Sequence, residues 1–162
     1  MEVALLKANL TEAAVIHEMQ LKAFRPLLDK YRDHETSPAN EPIDQIMTRL
    51  NQPFTDYYII NYLGKAAGAI RIVKKQNKEY RVSPIFILPE HQGKGIAQKV
   101  FSMIEEIYSD AIKWELDTIL QEQGNCYLYE KLGYRQTGAS REINRRMTIV
   151  YYEKNRHPGE LL

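Results

Sequence analysis

The sequence predicts an α/β fold of the α+β kind. Its centre is a mixed, mostly antiparallel sheet of about seven strands, with about four helices covering both faces. Three observations lead there. Short apolar runs with strand character recur along the chain, separated by polar turns. Other stretches repeat apolar residues every three or four positions, which is the helix period. In the middle, a strand, a long helix and a second strand follow one another. Strands joined that way need a crossover, and a crossover implies one parallel, right-handed pair in a sheet otherwise built of hairpins.

In chain order, Val3-Ala4-Leu5-Leu6-Lys7 reads as the first strand. Thr11 followed by Glu12 predicts a helix N-cap with an acid in the first turn. Val15, Met19, Ala23 and Leu27 then repeat every four residues. Pro26 falls late in that pattern, so the helix is expected to end or kink near Phe24 and Arg25. Residues 29–42 are polar and read as a loop with room for one extra helical turn. Pro42 is placed as the first residue of a second helix carrying Ile43, Ile46, Met47 and Leu50.

Residues 57–62 and 66–73 are strand-like and joined by Leu63-Gly64-Lys65, a three-residue hairpin loop with a glycine for positive φ. Residues 79–88 form the next strand. A helix over about 94–108 presents Ile96, Val100, Met103 or Ile104, and Ile107 on one face. Residues 112–118 alternate apolar and polar, as a half-buried strand does. Residues 125–132 make a short helix closed by Gly133. Residues 134–143 and 147–152 form a last hairpin, whose exposed aromatic strand at 147–152 is read as a homodimer surface. One domain is expected over 1–153, with 154–162 as a frayed tail.

Composition excludes several classes. Lys plus Arg number 22 and Asp plus Glu 21, a net charge of +1, so there is no general pull toward nucleic acid. No apolar run approaches the ~20 residues of a membrane span. One cysteine rules out an internal disulfide. With no leader-like start, the expected place is the cytoplasm. The histidines at 17, 34, 91 and 157 have no ligand spacing, so no metal site is expected. Arg141, Arg145 and Arg146 read as a solvated basic group in the last hairpin turn.

The chemistry concentrates in two motifs. The first is Ile85-Phe86-Ile87-Leu88, ended by Pro89 and followed by Gln92-Gly93-Lys94-Gly95-Ile96-Ala97 at a helix start. The first N–H groups of a helix lack internal partners and sit at the positive end of its dipole. Glycine lets a phosphate approach that backbone, and Lys94 adds a full charge. The second motif is Asn125-Cys126-Tyr127-Leu128-Tyr129-Glu130-Lys131-Leu132-Gly133-Tyr134. Its Asn125 and Tyr129 are four apart and share a helix face.

The glycine run, Gln92-x-x-Gly95-x-Ala97, resembles the acetyl-CoA pyrophosphate loop of the GNAT superfamily of N-acetyltransferases. The second motif and the order of elements resemble the same family along almost the whole chain. The resemblance implies acetyl-CoA as co-substrate, held by Ile87, Leu88, Gln92, Gly93, Lys94, Gly95, Ile96, Ala97 and Asn125. It implies direct acetyl transfer to the primary amine of a small molecule or peptide, with Tyr129 as the acid that protonates the leaving thiolate. It also implies that the parallel strands part, freeing backbone N–H groups near Ile87 and Leu88 to polarise the acetyl carbonyl. By chain order, residues 29–42 correspond to the family's substrate-side loop, where Tyr31, Asp33 and Glu35 face a cationic amine. Cys126 reads as a small apolar core residue rather than an acyl carrier.

One departure stands out. The glutamate that several family members carry on the strand before the loop is absent here. Glu79, Asp33, Glu35, His34 or a water relay remain as routes for the amine proton. The alternative reading is a non-catalytic acyl-CoA-binding module.

Overall fold

The computed structural model describes residues 2–156. Seven strands form one sheet in the order β1-β2-β3-β4-β5-β7-β6. They are β1 (Val3–Lys7), β2 (Thr55–Tyr62), β3 (Lys65–Lys74), β4 (Glu79–Ile87), β5 (Lys113–Ile119), β6 (Arg135–Asn144) and β7 (Met147–Asn155). The helices are α1 (Ala13–Tyr31), α2 (Ile43–Asn51), α3 (Ile96–Ile107) and α4 (Gln123–Lys131). Only β4 and β5 run parallel, and α3 is their crossover.

The two faces can be read from β2. Tyr58 and Ile60 pack on α3 and α4 through Ile96, Val100, Ile104 and Tyr129. Tyr57 and Ile59 point the other way, against Ala13, Ile16 and Met19 of α1 and Ile46 of α2. This is the period-two alternation of a strand buried on both sides. Trp114 is fully buried on the α3 face and stacks on Tyr80 at 5.2 Å. Burying a side chain of this class contributes about 1.5–3 kcal/mol.

Several expectations need correcting. α1 does not stop near Phe24 but runs through Pro26 to Tyr31. Proline removes the bond to the Lys22 carbonyl, yet Lys22 and Pro26 are both exposed, so water can replace the lost donor. Beyond the proline, Leu28 and Tyr31 are buried and hold the last turns down. The start of the helical segment is capped by Asn9, not Thr11. Asn9 accepts from the Thr11 N–H at 2.9 Å, and Glu12 reaches back to the Asn9 N–H at 3.1 Å. The β2–β3 loop has two residues, Leu63 and Gly64, both at positive φ (52° and 80°), which is the primed hairpin turn. On α3, Phe101 joins the buried stripe, while Ile107 is 50 % exposed.

At the end of the chain, the strand expected to stop at Tyr152 continues to Asn155. Lys154 and Asn155 pair with Trp114 and Lys113, so the proposed tail boundary is too early. Residues 157–162 of that tail lie outside the described residues, as does His157. β7 is not an exposed strand, because it lies between β5 and β6 with Met147, Ile149, Val150 and Tyr152 buried. The sheet edge on this side is β6, so the premise for a dimer surface at 147–152 falls.

The feature that makes the site is a parting of strands. β4 and β5 pair only where Glu79, Tyr80 and Arg81 meet Lys113, Trp114 and Glu115. Beyond Arg81 they separate. A bulge helps turn β4 away: Arg71 of β3 faces both Ser83 and Pro84, and its guanidinium donates to the Ser83 carbonyl at 2.8 Å.

Candidate active site

Two cavities open into the gap between β4 and β5. The larger, about 760 Å³, runs from Phe24, Leu27 and Lys30 of α1 along Ile85, Phe86 and Ile87 to the glycine turn and the start of α3. The smaller, about 260 Å³, is lined by the 33–38 loop, by Val82 to Ile85, by Leu116 to Ile119, and by Arg141, Met147 and Ile149. Asn125 and Tyr129 of α4 line both cavities, so the two meet at this helix.

The glycine turn is open. Gly93 and Gly95 sit at φ 75° and 79°, in the left-handed region where only glycine is comfortable. A side chain at Gly93 would meet nothing within 4 Å, so the space above the turn is clear. Gly95 is the N-cap of α3 and makes no side-chain cap bond. The opening N–H groups of α3 therefore stay available beside Ile96 and Ala97. Gln92 turns back and donates to the Ile87 carbonyl at 2.9 Å, which ties the turn to β4. Lys94 leans over the Tyr62 ring at 5.5 Å and does not line either cavity.

Ile87 and Leu88 differ in role. The Leu88 N–H donates to Ala67 of β3 at 2.7 Å, and its carbonyl accepts from the His91 N–H at 2.9 Å. Leu88 therefore has no free main-chain group and leaves the expected donor set. Hydrogen-bonded pairs alternate along an antiparallel ladder, so the next N–H, that of Ile87, points the other way. That way lies the gap left by β5.

Tyr129 packs in a cluster with Phe101, Tyr134 and Tyr152, at centroid distances of 5.7, 6.2 and 6.0 Å. Burial, and then the charge of Asp117, push its phenol well above the usual tyrosine value. It is held neutral. Cys126, one turn away, is buried in the core with its thiol toward the carbonyls of Ile119 and Leu120 at 3.9 and 3.7 Å. It lines neither cavity.

Of the three loop residues expected to meet substrate, only Asp33 lines a cavity. Its carboxylate accepts from the N–H of Thr36 at 3.0 Å and from the Thr36 hydroxyl. Tyr31 is the last residue of α1 and is buried, its hydroxyl bonded to Glu122. Glu35 is exposed and, like His34 and Glu79, touches neither cavity.

The structure adds residues that the sequence did not single out. Asp117 of β5 lines the smaller cavity and pairs with Arg81. Lys30 and Glu122 line the larger one and pair at 2.8 Å, with Tyr31 sharing the same carboxylate. Asp117 carried a faint signal as the polar member of an alternating strand. Lys30 and Glu122 are 92 residues apart and carried none.

The parted parallel pair beside a bare helix start defines a fold class, that of N-acetyltransferases. Ribosomal-protein-S18-alanine N-acetyltransferase from Escherichia coli matches with a TM-score of 0.76 at 12 % identity, over 95 % of this chain and 94 % of that one. Spermidine N-acetyltransferase from Vibrio cholerae, solved with CoA and spermine, matches with a TM-score of 0.75 at 18 % identity, over 94 % and 95 %. PaiA N-acetyltransferase from Thermoplasma acidophilum, solved with coenzyme A, matches with a TM-score of 0.74 at 12 % identity, over 96 % and 100 %. No curated protein matches the chain significantly in sequence. The family model described as an acetyltransferase (GNAT) domain matches residues 27–155, and the chain belongs to that family.

Proposed function

We propose that this protein moves an acetyl group from acetyl-CoA directly to the primary amine of a small molecule or peptide. The observation that carries the reading is the placing of Asn125 and Tyr129 where the larger cavity, with its glycine turn, meets the smaller one. The open turn and the uncapped start of α3 suit a diphosphate, and the larger cavity has room for a pantetheine arm. Solved relatives of this fold carry coenzyme A, which supports the same cofactor here. Acetyl-CoA, when bound, supplies an activated thioester.

The chain's own groups then have distinct tasks. The smaller cavity holds the acceptor, whose amine attacks the acetyl carbonyl. The Ile87 N–H, aimed into the gap, stabilises the charge that develops on the carbonyl oxygen. Tyr129, kept neutral by burial, gives its proton to the departing thiolate. The amine sheds its proton to solvent water before it attacks, since a lysine-like amine has a pKa of about 10.4 and is mostly protonated at neutral pH. Asp117 and Asp33 are the two carboxylates in the smaller cavity, and they favour the cationic amine as it enters. The buried Cys126 stands aside, which fits direct transfer.

The test is thiol release from acetyl-CoA across a panel of amines, beside calorimetric binding of coenzyme A. Turnover with at least one amine class supports the reading. Tight coenzyme A binding with no turnover on any amine would instead favour a non-catalytic acyl-CoA-binding module.

A further inference from the structure

Arg141 is the one member of its basic group that lies within a strand. Arg145 and Arg146 occupy the β6–β7 turn, whereas Arg141 belongs to β6. Its register partner is Ile149 of β7, whose own partner across the sheet is Ile119 of β5. Directly opposed residues share a face. Ile119, Ile149 and Arg141 therefore form a row on one side of the sheet, and all three line the smaller cavity. The basic group was read as solvated turn; Arg141 is exposed, as that reading has it, but it stands in β6 at the cavity rim and not in the turn.

The cavity's two carboxylates have partners other than Arg141. Asp33 is held by Thr36, and Asp117 by Arg81. Among the described residues, neither bonds to Arg141. Arg141 is thus an exposed, permanent cation at the rim of the cavity, with a planar fork of donors that matches a carboxylate. The rest of the wall is largely apolar, including Leu27, Leu28, Pro84 and Met147.

We infer that the acceptor is an amino acid: an amine that also bears a carboxylate, on a short frame with an apolar side chain. The inference rests on the acetyl-transfer reading above and names the substrate of that same site. The carboxylate docks on Arg141, and the amine lies toward Asp117 and Tyr129. At about 260 Å³ the cavity falls below the ~300–1,000 Å³ of drug-sized sites, which favours a short acceptor. A polyamine would set a second cation against Arg141, so long polycations are disfavoured.

The experiment measures thiol release with leucine, methionine and phenylalanine, each beside its carboxamide and its decarboxylated amine. The free acids should lead by about tenfold or more in kcat/KM, the effect of one charged hydrogen-bonded contact. Arg141→Gln should cut the ratio of acid to decarboxylated amine by about tenfold, mainly through KM, and Arg141→Lys should restore part of it. Equal use of acid and amine by the wild type, or an Arg141→Gln variant that slows both alike, overturns the inference. If no amine is acetylated, the acetyl-transfer reading fails on its own. Calorimetry with leucine in the presence of coenzyme A then decides the carboxylate assignment. Binding that vanishes in Arg141→Gln upholds it, and absence of binding to the wild type overturns it.

Discussion

Arg81 reaches from β4 to Asp117 of β5, two residues past the last rung that the strands share. The rung itself joins Arg81 to Glu115. The ion pair thus spans the mouth of the gap. It sets a negative charge in the smaller cavity and leaves its positive partner outside the lining.

Asp117→Asn should therefore raise the KM for a cationic acceptor several-fold. A half-exposed charge contact is worth about 1 kcal/mol or less, which corresponds to about fivefold. The KM for acetyl-CoA should change by less than about twofold, because Asp117 does not touch the larger cavity. Stability should hold within about 1 kcal/mol, since the partners are 26 % and 35 % exposed and solvent screens them. Steady-state kinetics against both substrates, with urea unfolding, checks all three. An unchanged acceptor KM would remove Asp117 from the site.

Tyr129→Phe keeps the ring that packs on Phe101, Tyr134 and Tyr152, and removes only the hydroxyl. General acid catalysis typically contributes 10²–10⁴-fold, so kcat should fall by about a hundredfold or more. Coenzyme A affinity should stay within about threefold, because the isosteric ring still walls the cavity. Thiol release with calorimetry separates the two effects. Full activity in the variant would mean that the thiolate leaves without help from this phenol.

What the sequence revealed here was local. Gly93, Gly95, Asn125 and Tyr129 were legible because a turn, a helix start and a four-residue spacing lie within one stretch of chain. The faces of the sheet were legible from the alternation in β2. Tertiary packing hid the rest. Pro26 looks like a stop until Leu28 and Tyr31 are seen to be buried beyond it. Leu88 looked like a free donor because spacing does not say that Ala67 lies opposite. That Arg141 stands opposite Ile149 was hidden because the register of β6 on β7 depends on bulges, where the pairing shifts between Gln136 and Ser140 and again between Glu142 and Asn144.

The Asp56 carboxylate lies outside the site and is one of the carboxylates that folding makes more acidic, with Glu115 and Glu122. It accepts from Tyr108 at 2.5 Å and pairs with Lys7 and Lys74, each at 3.1 Å. Burial alone would push its pKa up. The bonds from Tyr108, Lys7 and Lys74 outweigh burial and hold it below the usual carboxylate value. A carboxyl lowered on folding stabilises the native state above its unfolded pKa, about 3.9, and that contribution is lost as pH falls through the folded value. Asp56→Asn should be less stable at neutral pH and show a shallower loss below about pH 4 than the wild type. Urea unfolding at stepped pH measures both, and parallel curves for the two proteins would exclude Asp56 as one of the titrating groups.

Two glycines beside the site should fail for different reasons. At Gly68 a methyl group would lie 2.1 Å from the Phe86 carbonyl oxygen and 3.0 Å from the Ile87 Cα. Those are backbone atoms of β4, so the strand itself must shift. Overpacking of this kind costs about 1–3 kcal/mol. At this size a loss of 1 kcal/mol lowers Tm by about 2–4 °C, so Gly68→Ala should melt several degrees lower. Activity should fall more than stability implies, because the displaced segment carries the Ile87 N–H. Catalytic geometry is sensitive to shifts of about 1 Å. Gly93→Ala meets no neighbour, and only the left-handed backbone, worth about 1–2 kcal/mol, opposes it. Its methyl group would stand in the space above the turn, so coenzyme A binding should weaken while kcat at saturation holds within about threefold. Melting curves, coenzyme A titrations and saturating turnover distinguish the pair. Normal kcat in a destabilised Gly68→Ala protein would show that the Phe86–Ile87 backbone does not act on the reacting carbonyl.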